Sequence, residues 1–388
     1  MRCRLACVAG LLLVSPDAAE AQGDVTAVSV GALPLYQRWS FGTPIDQDTL
    51  RVTGISQLAV PVSVFVPLGE RFTLDAVGAY VRGRVELEGG DDLTLDGLAD
   101  VRVRLVGRLR DDNVLLTAGL TLPTGTTGLS GSGLDALRLT GAPSLRLPVP
   151  ALGTGFGATL GLVLARQAGP WALALGTSYE LRGTYSPIES IIAGVTSATD
   201  LNPGDALHVS LGADRLLGQS RLALLLAGDV YGDDRITAGE SSSRLTSSYR
   251  LGPTIRALAQ LDPAIRGYRE FAVYAQVRHR TPFTGIDGAE VDGSTGTVFD
   301  VGVSTVRGRP RGVGLVLRAD AMIDSGLEVD NSLATAGATV LGATVGLSVP
   351  LRRGVLEPFV RLQRGRFDTG PAETAATGLA FGVTLGGR

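Results

Sequence analysis

The chain has 388 residues, of which 44% are hydrophobic, and a formal net charge of −3. This length allows two or three soluble domains or one large barrel, and the slightly acidic balance argues against a nucleic-acid partner. Every basic residue apart from the two histidines is an arginine, and the only two cysteines, Cys3 and Cys7, lie near the N-terminus. The rest of the chain therefore has no disulfide framework.

The first 21 residues have the pattern of a secretory signal peptide. Two arginines give a positive start, residues 5–14 form a mostly apolar core, and residues 19–21 are an Ala-Glu-Ala cleavage site. We therefore expect residues 1–21 to be removed and residues 22–388 to form a single exported domain.

From residue 26 onward, polar and apolar residues alternate in one segment after another. The stretch 100–105, Asp-Val-Arg-Val-Arg-Leu, is the clearest case, and 317–324 and 356–363 repeat the pattern. Because successive side chains of a strand point to opposite faces, each segment has one apolar and one charged face. The predicted strands are 26–42, 49–66, 70–87, 94–109, 112–123, 154–167, 171–185, 204–216, 219–233, 244–261, 269–282, 296–308, 312–325, 336–350, 353–368 and 375–387. This gives about sixteen strands; fourteen is the alternative, because Pro34 interrupts the weak first strand.

Tight turns and long polar loops connect these segments in alternation. The tight turns contain Gly, Pro, Asn and Asp, the residues that turn geometry favours. Short turns on one side and long loops on the other are typical of outer-membrane barrels. The longest loop, 125–153, is predicted to hold a short helix near 134–139. Its Pro148 and Pro150 mark a segment folded over or into the mouth of a barrel.

Outside the signal peptide, no apolar run approaches the roughly 20 residues that a membrane helix needs. An exported chain with apolar strands can then cross a membrane only as a closed barrel, because lipid offers no partner to unpaired backbone groups. The sequence therefore predicts an all-β fold, a transmembrane antiparallel β-barrel, in the bacterial outer membrane of a Gram-negative-type cell.

If the apolar face meets lipid, the charged face lines the lumen. An arginine facing lipid at mid-membrane costs roughly 2–4 kcal/mol, which decides between the two faces. The predicted lumen-lining residues are Asp100, Arg102, Arg104, Glu180, Arg182, Asp229, Arg250, Arg256, Gln276, Arg278, Arg280, Arg318, Asp320, Glu357 and Arg361. Two interpretations stay open: a pore wall that passes a solute, or a ladder of ion pairs that satisfies the interior of a large barrel.

Signals for catalysis and for metal binding are sparse. His208 and His279 are the only histidines, and Ser210 lies two residues from His208 on the same face. A hydrolase would need a nucleophile within hydrogen-bond reach of a histidine. The acidic loop around Asp287 and Asp292 lacks the spacing of an EF-hand. We therefore expect no enzyme activity, no cofactor and no metal site.

Two short motifs carry a family resemblance. Residues 97–101, Gly-Leu-Ala-Asp-Val, and residues 121–125, Thr-Leu-Pro-Thr-Gly, resemble the GLGDV and LPTG pattern of outer-membrane barrels in a putative MetA-pathway phenol-degradation family. Residues 169–171, Gly-Pro-Trp, and the strand after them fit the same pattern, so that the resemblance covers roughly residues 50–185. Ala99 replaces the second glycine of the motif, and the chain lacks the terminal aromatic residue typical of such barrels.

That family is loosely related to fatty-acid and aromatic-hydrocarbon channels, and it offers no catalytic residues to carry over. The resemblance implies passive, porin-like transport of small, hydrophobic or aromatic organic molecules. The alternatives are a structural or surface-binding barrel with a plugged lumen and a barrel-borne lipid hydrolase. The expected partners are outer-membrane lipid, a small-molecule solute and, during insertion, the barrel-assembly machinery.

Overall fold

A computed structural model describes residues 29–47, 50–110, 113–129, 131–192, 195–238, 245–308, 312–328, 332–351, 354–370 and 372–387. The predicted signal peptide lies outside the described residues. In chain order the strands are β1 (Ser29–Ala32), β2 (Leu35–Gln47), β3 (Leu50–Leu68), β4 (Phe72–Leu87), β5 (Leu93–Leu98), β6 (Val101–Leu109), β7 (Val114–Leu122), β8 (Gly157–Ala168), β9 (Trp171–Arg182), β10 (Tyr185–Ile192), β11 (Val195–Asn202), β12 (Ala206–Leu217), β13 (Ser220–Tyr231), β14 (Asp233–Ala238), β15 (Leu245–Arg250), β16 (Thr254–Asp262), β17 (Glu270–Arg280), β18 (Gly296–Gly308), β19 (Gly314–Asp324), β20 (Gly337–Leu351), β21 (Gly354–Asp368) and β22 (Glu373–Gly387). The helix α1 (Gly131–Thr140) and a 3-10 turn (Pro143–Leu145) lie between β7 and β8.

Antiparallel pairing closes the wall into a barrel. It runs in chain order from β2 round to β22, and β22 pairs back with β2. β1 and β2 share one place beside β3, and β5 and β6 share one place beside β4. Since β10, β11, β14 and β15 lie outside the ring, the barrel has sixteen strands. The prediction of a sixteen-stranded antiparallel barrel is confirmed, and the alternative of fourteen is wrong.

Two of the predicted strands are interrupted for local chemical reasons. The segment 94–109 breaks at Ala99 and Asp100, where the Asp100 carboxylate accepts the backbone N–H groups of Gly125 and Thr154. The segment 244–261 breaks at residues 251–253. Pro253 has no N–H for the ladder, and a Cβ at Gly252 would lie 1.9 Å from the carbonyl oxygen of Thr281.

The two ends of the barrel differ as predicted. Gly69, Gly169 and Gly218 adopt positive φ in tight turns at one end, a conformation that glycine adopts without steric cost. At the other end the connections are long, and β10, β11, β14 and β15 form a second, four-stranded sheet. We name it the outer sheet. Sequence analysis treated its residues mainly as loops.

Arg250 is a correction to the predicted lumen set. It ends β15 in the outer sheet, where its guanidinium binds Asp233 at 2.7 Å and both side chains are about half exposed. Sequence analysis predicted one continuous strand over 244–261. Period-two alternation along that strand placed Arg250 on the same inward face as Arg256.

The outer sheet also contains a phenol with a raised pKa. Burial and the neighbouring Asp234 raise the pKa of Tyr249 to about 12, so this phenol stays neutral.

The strand registers sort side chains into two faces. Residues directly opposite each other in an antiparallel pair share a face. Leu211 lies between Leu175 and Leu226, and it is 52% exposed. The adjacent Ser210 lies between Gly176 and Ala227 on the other face. Exposed leucine and valine side chains continue round the ring on the Leu211 face. Outward arginine–carboxylate pairs are grouped on β2–β5 and on the adjoining β21 and β22, such as Arg38 with Glu86 and Arg366 with Glu373.

The inner face is identified by the connection between β7 and β8. One stretch of it hydrogen-bonds to side chains of β2, β3, β18 and β19, and β3 and β18 are far apart in the ring. Only the concave side of a closed wall lets one segment reach all four strands. The apolar face is therefore the exterior. A closed ring with an apolar exterior and a polar interior is an outer-membrane β-barrel.

None of the helices in the described part of the chain is long and apolar enough to cross a membrane.

Adjacent residues on β12 test the assignment of the two faces. Leu211→Arg places a charge against lipid near the middle of the strand, and we expect it to lower the free energy of unfolding by about 2–4 kcal/mol. Ser210→Arg places the same side chain in the lumen, where water solvates it, and we expect a much smaller loss. Urea unfolding of the refolded barrel in lipid vesicles measures both. Equal losses for the two variants would contradict the assignment.

Candidate solute passage

The connection of residues 123–156 folds into the barrel, and we name it the inner loop. Its helix α1 packs against β3, β4 and β5, with Ala136 and Leu139 buried. A Cβ at Gly83 of β4 would lie 3.2 Å from the side chain of Thr140, so the wall and the helix are in close contact. The predicted helix near 134–139 is confirmed. The loop occupies one side of the lumen.

Polar side chains of β2 and β3 hold the backbone of the inner loop. Gln37 Nε2 and Trp39 Nε1 each donate a hydrogen bond of 2.8 Å to the carbonyl oxygen of Leu145. Gln57 donates to the carbonyl of Val149 at 2.7 Å and accepts the N–H of the same residue at 2.9 Å. Trp39 and Gln57 are fully buried. These contacts satisfy loop backbone groups that no strand pairs with.

Arg146 fixes the loop to β18 and β19. It follows the 3-10 turn with φ of 53°, a left-handed conformation that is uncommon outside glycine. Its guanidinium donates to Asp320 at 2.8 Å and also binds Asp300. Arg361 donates to the same oxygen of Asp320 at 2.7 Å, and the Asp320 side chain is only 7% exposed. Buried charges at such short range require partners, and this cluster supplies them.

The structure thus brings the predicted Asp320 and Arg361 together and adds Arg146 and Asp300, which sequence analysis missed. Asp300 continues the alternation of β18 between Phe299 and Val301, so the period-two pattern contained the signal for it. Arg146 lies in a loop, where no periodicity indicates the direction of a side chain.

A cavity of about 850 Å³ extends along the part of the wall that the inner loop leaves open. It is bounded by β7 to β9, β12, β13, β16 to β19 and β21, and it reaches the turn at Pro263 and Ala264, at the end of the barrel with the tight turns. Members of the predicted set that line it are Asp229, Arg256, Gln276, Arg318 and Glu357. Polar side chains such as Thr159 and Ser210 and apolar ones such as Val163 and Val316 share its surface.

A hydrogen-bonded group of charges borders this cavity. His208 lies between two carboxylates, with Nδ1 2.7 Å from Asp229 and Nε2 3.4 Å from Glu180. Asp229 also accepts the hydroxyl of Thr254 at 2.8 Å, and Arg256 lies 3.6 Å from it. The carboxylates of this group therefore accept their hydrogen bonds from other side chains of the barrel wall.

The other predicted residues fall into three groups. Arg104, Arg182 and Arg318 each pair with a carboxylate: Asp75 at 2.9 Å, Glu180 at 3.4 Å and Glu357 at 3.5 Å. Asp100 is used in fixing the backbone of the inner loop, as described above. Arg102, Arg278 and Arg280 have no carboxylate within 4.0 Å among the residues that the structure describes.

The histidines do not assemble a hydrolytic centre in the described part of the chain. The hydrogen bonds of His208 go to carboxylates, and none joins it to Ser210. His279 Nδ1 lies 2.9 Å from the hydroxyl of Thr297 on the outer face, with no carboxylate hydrogen-bonded to its other nitrogen in the described contacts. The described residues also contain no group of three or more His, Cys, Asp or Glu that could hold a metal ion.

Comparison with known proteins shows likeness in fold. No family model matches the chain, and no curated protein matches it. Among solved structures, OprB of Pseudomonas putida at high pH is 10% identical with a TM-score of 0.49, covering 92% of this chain and 94% of its own. A structure described as the CymD monoaromatic hydrocarbon channel is 12% identical with a TM-score of 0.39, covering 92% of this chain and 88% of its own. Membership of the MetA-pathway family stays a proposal.

The anchoring of the inner loop by Arg146 is open to test by hydrogen exchange. Arg146→Gln removes the ion pairs to Asp300 and Asp320, each contributing about 1.5–3 kcal/mol as hydrogen bonds to charged groups. We expect backbone amides of residues 141–150 to exchange at least about tenfold faster, since 1.4 kcal/mol corresponds to a factor of ten.

Arg366→Gln is the matched control, because Arg366 pairs with Glu373 where both side chains are more than half exposed. It should leave exchange in the inner loop unchanged. Equal exchange in the wild type and in Arg146→Gln would show that Arg146 does not hold the loop.

Proposed function

We propose that this barrel is a passive channel for small organic molecules across the outer membrane, with the inner loop as its constriction. The observation that carries the proposal is the division of the lumen. The inner loop is fixed to β2, β3, β18 and β19, and the cavity of about 850 Å³ extends along β7–β9, β12, β13, β16 and β17 and along the parts of β18, β19 and β21 nearer the tight turns. A cavity of this size is in the range that holds a small ligand.

The composition of the cavity wall favours weak, passing contacts. A channel conducts only when each contact is weak enough to release the solute. Ser178, Ser210 and Thr159 offer single hydroxyl groups, while Leu225 and Leu258 offer apolar surface. This mixture, together with the motif resemblance, supports small solutes with a hydrophobic or aromatic part.

We propose that the polar lumen face serves the passage in two ways. Asp320 and Arg361 act on the loop, since they hold Arg146 in place. Asp229, Arg256, Arg318 and Glu357 act on the solute, since they border the cavity. The proposal assigns no catalytic residue, because the hydrogen bonds of His208 are taken by Asp229 and Glu180.

The rival with a specific observation in its favour is a structural barrel with a plugged lumen. The ion pairs of Arg146 and the four hydrogen bonds from Gln37, Trp39 and Gln57 hold the inner loop as a plug is held. This rival and the channel differ in one respect, which is whether solutes pass the loop while it is in place.

Planar-bilayer recording separates the two. We expect the wild type to conduct, and a variant lacking residues 130–150 to conduct more, because the constriction is gone. Arg146→Gln should fall between them with larger current fluctuations, and Arg366→Gln should match the wild type.

A silent wild type beside a conducting deletion variant would favour the plugged barrel. Absence of conductance in both would overturn the channel proposal. Folding of each variant is checked by its heat-modifiable migration in gel electrophoresis.

A further inference from the structure

Three arginines come together on two neighbouring strands of the wall. Arg256 on β16 lies directly opposite Arg278 on β17, and Arg280 follows on the same face beyond Arg278. All three share the inward face with Gln276, which lines the cavity. Like charges directly opposite each other in a sheet are destabilising. The wall therefore holds these charges together at a cost in stability.

The nearby carboxylates are already engaged by other groups. Asp229 accepts hydrogen bonds from His208 and Thr254 as well as lying 3.6 Å from Arg256. Asp324, opposite Val298 on the adjoining strand pair, accepts the backbone N–H of Gly326 at 2.9 Å. Asp300, opposite Gln276, binds Arg146 and Tyr274.

Arg278 and Arg280 are left with no carboxylate within 4.0 Å in the described part of the chain. The Arg256 side chain is 44% exposed although it faces the lumen, and Arg278 is also exposed. Their guanidinium groups therefore face lumen water with donor capacity to spare. A guanidinium presents its N–H groups in a planar fork that matches a carboxylate or phosphate.

The position of the three arginines relates them to the cavity. Arg280 ends β17 at the barrel end with the long loops, and the cavity begins near Arg256 and continues to the tight-turn end. A solute that enters from the long-loop end meets Arg280 first and then Arg278 and Arg256, which lie side by side. Beyond them on the inward face, Leu225 and Leu258 lie opposite each other, line the cavity and are partly exposed.

We propose that Arg256, Arg278 and Arg280 form an anion site at the outer end of the cavity, and that it selects small organic carboxylates with a hydrocarbon body. The arginines take the carboxylate, and the apolar surface of Leu225 and Leu258 takes the hydrocarbon part. Arg256 contributes those of its N–H groups that Asp229 does not accept. The Asp229 carboxylate also lowers the net positive charge of the site, so that the bound solute can leave it and pass on into the cavity. This inference rests on the proposed function and specifies its substrate class.

The test measures ion selectivity and block in planar bilayers. In a potassium chloride gradient the wild type should favour chloride over potassium ions. Benzoate should block the chloride current, acetate should block it less because it lacks the hydrocarbon body, and inorganic phosphate should not exceed acetate. The variant Arg278→Gln/Arg280→Gln should lose the anion preference and bind benzoate roughly tenfold more weakly, because it loses hydrogen bonds to charged groups.

Two further variants complete the design. Arg278→Lys/Arg280→Lys keeps the charge without the planar fork, so it should retain the chloride preference and lose most of the benzoate block. Arg366→Gln lowers the net charge at an exposed pair and should behave as the wild type.

A wild type that conducts without anion preference, or a glutamine variant with unchanged block, would overturn the anion site and leave the channel proposal intact. Stronger block by phosphate than by benzoate would overturn the carboxylate assignment. A folded barrel that conducts nothing would overturn the proposed function and the anion site with it.

Discussion

The structure depends on one constraint, which is that every backbone N–H and C=O group inside a lipid bilayer needs a partner within the protein. The pairing of β22 with β2 meets this constraint by leaving no open edge in the wall. Once the ring is closed, the alternating direction of side chains along each strand determines which residues face lipid and which face the lumen. One face carries exposed leucines and valines such as Leu211, and the other carries the charged groups of the lumen, such as Asp320 with Arg361.

A polar interior creates a second requirement, because its donors and charges also need partners. Many charged side chains of the lumen face meet this requirement by pairing with each other, such as Arg104 with Asp75. On β2, β3, β18 and β19 some of the partners are in the inner loop instead. Gln57 binds both backbone groups of Val149, and Asp320 joins Arg146 to Arg361. The same polar face thus shapes the passage, since it decides which side of the lumen is filled.

The fold was predictable from sequence because alternation and turn chemistry are local signals. All sixteen wall strands were found in this way, and the helix of the inner loop was placed correctly. Arg250 was placed wrongly because the break at residues 251–253 depends on the close approach of Gly252 to Thr281. Arg146 and its partner Asp300 were missed as a pair because they are 154 residues apart, and contact between them depends on where the loop folds. The open arginines at 278 and 280 were predicted as lumen residues, but only the register shows Arg278 facing Arg256.

The account depends most directly on which face of the wall meets hydrocarbon. Spin labels placed one at a time at residues 207–212 of β12, in barrels inserted into lipid vesicles, measure this by collision with oxygen, which concentrates in lipid, and with a water-soluble nickel chelate. We predict a strict alternation, with high oxygen accessibility at 207, 209 and 211 and high nickel accessibility at 208 and 210. Loss of the alternation, or the opposite phase, would contradict the assignment of lumen and exterior and every proposal built on it.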